Sequence, residues 1–95
     1  MREPINYEIL PEHMRDAMRT WIETPHNPRL LGSFMYAVLT NDLMGAFANA
    51  DHINRASMYA WTVFLHNEAP AACFGSEARL LDWFGRGGLK GMMQQ

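Results

Sequence analysis

The sequence predicts an all-α protein: a compact small bundle of about four to five helices around a central, largely buried helix at about 51–68, assembling as a homo-oligomer. Three observations carry this expectation. Apolar residues recur at helical spacing in several successive windows. The 95 residues have room for one core only, so the chain reads as a single helical domain, 1–95. The stretch after Asp51 is apolar around most of its circumference, more than four short neighbours can cover. That helix is either wrapped by its own neighbours or packed against another copy of the chain. The sequence favours the second, because symmetric association is the usual route for small chains.

In chain order, residues 1–10 form an N-terminal arm without a convincing period. Pro11 suits the first turn of a helix, where its missing N–H has no partner to lose. From there to Glu23, Met14, Ala17, Met18, Trp21 and Ile22 make an apolar face opposite Glu12, Arg15, Asp16 and Arg19. Thr24-Pro25-His26-Asn27-Pro28 breaks the helix, since each proline disfavours helix in the residue before it. A second helix is expected from Pro28 or Arg29 to Thr40, and a third from Asp42 to Ala50 with Asn41 or Asp42 as its cap. Asp51 caps the long fourth helix to about Glu68, in which Arg55, Thr62 and His66 occupy one narrow polar sector. After the 69–75 loop, Ser76 caps a last helix docked by Leu80, Leu81, Trp83 and Phe84. Gly85, Gly87 and Gly88 end it, leaving 85–95 as a flexible glycine-rich tail with frayed Met92–Gln95.

Composition narrows the function classes. The chain is 48% hydrophobic and 19% charged, which argues for a folded domain. A net charge of −2 argues against coating a DNA or RNA polymer, which needs an excess of Lys and Arg. One or two arginines can still hold a small anion. The single cysteine, Cys73, fits a reducing compartment. No signal-peptide core and no stretch of about 20 apolar residues is present, so a soluble cytoplasmic protein without membrane contact is expected.

The chemistry-bearing residues form no familiar catalytic set. His13, His26, His52 and His66 lack the spacing that places two ligands on one helical face, so neither a metal site nor a cofactor is expected. Cys73 with His66 makes a poor case for a thiol nucleophile, and Asp42 and Asp51 read as caps, not as an acid/base pair. Gly85-Arg-Gly-Gly-Leu-Lys-Gly91 follows a helix where a phosphate-cradling loop would precede one. The candidates outside the core faces are Arg29 and His26 in the first inter-helix loop, Tyr7 and His13 near the chain start, and Phe74 in the later loop. Stacking aromatics combined with phosphate-contacting arginines are what a nucleotide pocket requires.

Two motifs resemble a known family. They are Gly32-Ser-Phe-Met-Tyr-Ala-Val-Leu-Thr-Asn-Asp-Leu43, with Ala46, Ala50-Asp51 and Asn54 after it, and Asn67-Glu-Ala-Pro70 leading to Cys73-Phe-Gly-Ser76. Over about Leu10 to Trp83 the chain resembles the small helical anti-CBASS proteins of bacteriophages, sponges for cyclic oligonucleotides. The resemblance implies a non-enzymatic homo-oligomer, a hexamer, acting in the host cytoplasm. Its partners would be other copies of itself and the cyclic di- and trinucleotides made by host defence cyclases. In that family a tyrosine near the start of the first helix stacks on the ligand, and a lysine before the central glycine contacts phosphate. Arg29, three residues before Gly32, takes the lysine's place with the same charge and a different geometry. For the tyrosine, His13 is nearest by position and Tyr7 nearest by chemistry. The alternative expectation is a phage protein–protein inhibitor or adaptor on the same helical fold.

Overall fold

The computed structural model describes residues 4–93, which contain seven α-helices and no strand. They are α1 (Glu12–Glu23), α2 (Ser33–Leu39), α3 (Leu43–Asn49), α4 (His52–Ala56), α5 (Met58–Asn67), α6 (Glu77–Arg86) and α7 (Gly88–Met93). Single 3-10 turns lie at Tyr7–Ile9, Pro28–Leu30 and Ala71–Cys73. The helices form a globule of about 40 × 26 × 19 Å.

Three tryptophans organise the core. Trp21 of α1, Trp61 of α5 and Trp83 of α6 are each 1% exposed. Rings of this size bury on the order of 150–250 Å² each, about 4–6 kcal/mol of transfer free energy apiece. Burial also obliges each indole N–H to find an acceptor. Trp21 donates to the Cys73 carbonyl at 2.9 Å, Trp83 to the Trp21 carbonyl at 2.8 Å and Trp61 to Asn54 Oδ1 at 3.1 Å. The three rings are thereby keyed to backbone or to a buried amide, which fixes α1, α6 and the 71–73 turn against one another. Among the described residues no buried side-chain nitrogen or oxygen lacks a partner.

Helix starts follow local chemistry. Asp42 accepts from the Gly45 N–H at 3.0 Å, Asp51 from the Asn54 N–H at 2.7 Å and Ser76 from the Arg79 N–H at 3.2 Å. Each satisfies one donor that a helix start leaves without an intrahelical partner.

The N-terminal arm, from residue 4 onward, packs against the helices. Tyr7 and Leu10 lie in the core, Asn6 N–H donates to Glu68 Oε1 at 2.9 Å, and Arg15 reaches the Leu10 and Glu8 carbonyls at 3.0 and 3.1 Å. Three expectations are corrected. The single helix expected from Pro28 to Thr40 is split, because Gly32 adopts φ +80°, a conformation that ends one turn and starts α2 after it.

The helix expected at 51–68 is a kinked pair, α4 and α5. The carbonyl ladder continues through Ser57, whose N–H reaches Ile53 O at 3.0 Å and whose carbonyl accepts from Trp61 N–H at 3.0 Å. Only one side of this rod is covered within the chain: Asn54, Trp61 and Phe64 are buried while Tyr59 is 81% exposed. The glycine-rich end contains α7, which packs on the end of α1. Gly88, at φ +66°, sits where a Cβ would come within 2.7 Å of the Ile22 carbonyl and 2.5 Å of Pro25 Cδ. The glycine there permits close approach as well as a helix stop. The frayed end expected for Met92–Gln95 falls partly on residues 94–95, outside the described residues.

Candidate functional site

The five residues singled out from the sequence occupy four separate places. Tyr7 and His13 share a broad recess of about 1020 Å³ between the N-terminal turn and α1, with Arg15, Arg19 and Ile53 on its walls. Arg29 lines a recess of about 400 Å³ with Gly32, Ser33, Tyr36, Asp42 and Asn49. His26 borders an apolar recess of about 270 Å³ beside Trp21, Leu31 and Met35. Phe74 lies in a groove of about 250 Å³ between α5 and the α2–α3 hairpin.

The first recess is the largest, yet its aromatic and its imidazole are both engaged. The Tyr7 ring meets Phe64 with centroids 5.7 Å apart, and the Arg19 guanidinium stands 4.8 Å from its centroid. Burial, reinforced by the Glu23 carboxylate 3.5 Å from the hydroxyl, pushes the Tyr7 phenol up to about 12. A base stacking on this ring must displace Arg19. His13 Nε2 lies 3.0 Å from Asp51 Oδ2 and 3.5 Å from Asn54 Nδ2. The Asp51 carboxylate can only accept, so His13 Nε2 carries the hydrogen and donates to it, while Asn54 Oδ1 accepts from Trp61 and the Asn54 backbone N–H donates to Asp51. The Asn54 backbone N–H, and then His13, hold the Asp51 carboxyl below the usual range. Trp61, Asn54, His13 and Asp51 thus form a polar chain from the core to the surface that ties α1 to α4.

The Arg29 recess is built differently. The Asn27 side chain accepts from the Arg29 N–H at 2.9 Å and so shapes the 28–30 turn, leaving the Arg29 side chain exposed. Gly32 then turns the chain into α2, placing Ser33 and Tyr36 along the same recess, while Asn49 comes across from α3. Desolvation, with the Glu77 carboxylate beside it, raises the Tyr36 phenol above its ordinary value. The phenol stays protonated at neutral pH with its O–H engaged by Glu77, so what Tyr36 offers the recess is its ring. A guanidinium, a serine hydroxyl, an amide and a half-exposed phenol ring together can hold an anionic oxygen and face an aromatic ring.

Ser33, Tyr36 and Asn49 were not found from the sequence. A usable signal was present: Arg29, Ser33 and Tyr36 stand at i, i+4 and i+7, one side of a helical repeat. Asn49 carried none, because it arrives by the packing of α3 on α2.

Among the described residues no helix is long and apolar enough to cross a membrane, and no three His, Cys, Asp or Glu side chains converge as metal ligands would. Compared with known families, characterised sequences and solved structures, the chain matches none.

Proposed function

We propose that this chain is a non-enzymatic binding protein that self-associates and sequesters cyclic di- and trinucleotides, in the manner of the phage anti-CBASS sponges it resembles. The proposed site is the Arg29 recess, with Arg29 on phosphate and Tyr36 on a base or ribose. Its place of action would be the host cytoplasm, where such signals are made.

One juxtaposition carries this reading. The recess that holds Arg29, Ser33, Tyr36 and Asn49 is built from the 28–30 turn, α2 and α3, and the turn and α3 also carry exposed apolar side chains. Leu30 beside Arg29 is 73% exposed, and Leu43, Met44 and Phe47 of α3 are 63%, 80% and 45% exposed. Exposed apolar surface on the same elements as a polar recess is what a ligand site completed at a subunit boundary would use. The number of copies, six by the resemblance, is part of the proposal.

The test is thermal unfolding of the purified protein against a panel of cyclic di- and trinucleotides. A ligand at ~100 times its dissociation constant adds ~2.7 kcal/mol of stability. Arg29→Ala is expected to reduce the shift by about half or more, and intact nucleotide is expected back after heat denaturation. No shift with any member of the panel overturns the reading, and recovery of a linearised product replaces a sponge with a phosphodiesterase. The second reading, a protein–protein inhibitor or adaptor, is favoured by the apolar groove beside Phe74. A stable protein complex insensitive to Arg29→Ala would support it.

A further inference from the structure

Arg29 and Asp42 line the same recess, and among the described residues neither takes part in an ion pair. Opposite charges that share a recess without bridging leave room for a ligand that answers both. Asp42 and Asn49, another lining residue, are held by one residue of α3, Gly45. Asp42 Oδ1 accepts from the Gly45 N–H at 3.0 Å, and Asn49 Nδ2 donates to the Gly45 carbonyl at 2.8 Å. A Cβ at position 45 would collide with Asp42 Oδ2. This placement of the carboxylate therefore requires a glycine, which a helix otherwise disfavours. The two bonds leave Asp42 Oδ2 able to accept and leave Asn49 one N–H to donate.

We infer that this recess selects guanine over adenine, with Asp42 as the residue that reads the base; the inference rests on the nucleotide reading proposed above. The pairing edge of guanine presents two adjacent donors, the ring N–H and the exocyclic amino group, followed by a carbonyl acceptor. The corresponding edge of adenine presents an amino donor beside a ring nitrogen that only accepts. A carboxylate can only accept, so Asp42 answers both guanine donors and repels the lone pair of the adenine ring nitrogen. The remaining Asn49 N–H matches the guanine carbonyl. Tyr36 lends its ring as a face for the base, and Arg29 takes a phosphate oxygen. The two unbridged charges then have separate duties, since the anionic part of the ligand goes to Arg29 and its donor edge to Asp42. A ligand made of phosphate alone leaves Asp42 opposing it, and a purely cationic one leaves Arg29 opposing it.

The probes are cyclic di-GMP, cyclic di-AMP and cyclic di-IMP, titrated into the full chain. Cyclic di-GMP is expected to bind about tenfold more tightly than cyclic di-AMP, the discrimination of one well-placed pair of base contacts. Cyclic di-IMP lacks the exocyclic amino group and is expected to bind severalfold more weakly than cyclic di-GMP, with no change made to the protein. Asp42→Asn keeps a capping oxygen for the Gly45 N–H and puts an N–H in place of Oδ2. Its unfolding midpoint is expected to match the wild type, while its preference for guanine disappears or reverses. Equal affinity for cyclic di-GMP and cyclic di-AMP, no loss with cyclic di-IMP, or a preference that survives Asp42→Asn overturns this inference. Binding that still depends on Arg29 would then leave the nucleotide reading standing. Failure of all three probes to bind overturns both.

Discussion

The tryptophan core and the α2–α3 corner use similar residues to opposite ends. Phe64 and Phe47 make the contrast plain. Phe64 is fully buried against Tyr7, on a helix held to the N-terminal segment by the Asn6–Glu68 hydrogen bond. Phe47 is 45% exposed on a seven-residue helix whose main packing partner is α2. In the core, each indole N–H and the one buried amide has found a partner inside the chain, so nothing is left over for a ligand. In the corner, apolar side chains and the Arg29 side chain stay exposed together. The first region holds the buried core, and the second is the surface proposed to bind.

The sharpest way to break this contrast is to truncate the same side chain in both places. Phe64→Ala is expected to cost about 3–5 kcal/mol in urea unfolding, the usual range for a buried phenylalanine. Phe47→Ala should cost under about 1 kcal/mol yet reduce the sedimenting mass if copies meet on α3. Equal stability losses would mean that the corner is as integral to the core as Phe64.

The glycines give the next largest difference. Gly88→Ala places a Cβ against the Ile22 carbonyl at positive φ and should cost about 2 kcal/mol or more. Gly85→Ala meets nothing within 4 Å inside α6 and should stabilise by about 0.5–1 kcal/mol. Chemical denaturation of both variants checks whether α7 is docked on α1.

The smallest effect concerns the His13–Asp51 tie between α1 and α4. Asp51's carboxyl is held below its ordinary value, so its contribution is fully present above the unfolded value of about 3.9 and is lost as pH falls through the depressed one. Asp51→Asn keeps a capping oxygen. The stability gap between wild type and this variant is expected to be constant from neutral pH to about 5 and to close below about 4. A gap that is flat down to acid pH would remove the Asp51 carboxylate's charge from the account.

The parts of this fold that were legible in the sequence are those decided within four or five residues. Asp42, Asp51 and Ser76 announce helix starts because capping needs one side chain and one nearby N–H. Gly32 and Gly88 were harder to read, because a glycine before or after a helix looks alike whether it turns the chain or admits a neighbour. The burial of Tyr7 and the pinning of Asn6 depend on residues more than fifty positions away. The candidate site followed the same rule. Arg29 was found as an exposed charge in a loop, but Tyr36 was hidden in an apolar run and Asn49 joins it only across the α2–α3 packing. Tyr7 was proposed for a ligand on residue type and His13 on its position in the resemblance, and tertiary contacts give each of them a partner within the protein.

The central claim is that the α2–α3 corner, through Arg29, is the binding surface. Calorimetric titration of cyclic di- and trinucleotides into the wild type and into Arg29→Ala tests it most directly. Saturable binding by the wild type that weakens by about tenfold or more in Arg29→Ala is the predicted result, the loss of one charge-assisted contact of about 1.5–3 kcal/mol. Binding unaffected by Arg29→Ala, or no binding by the wild type, would contradict it.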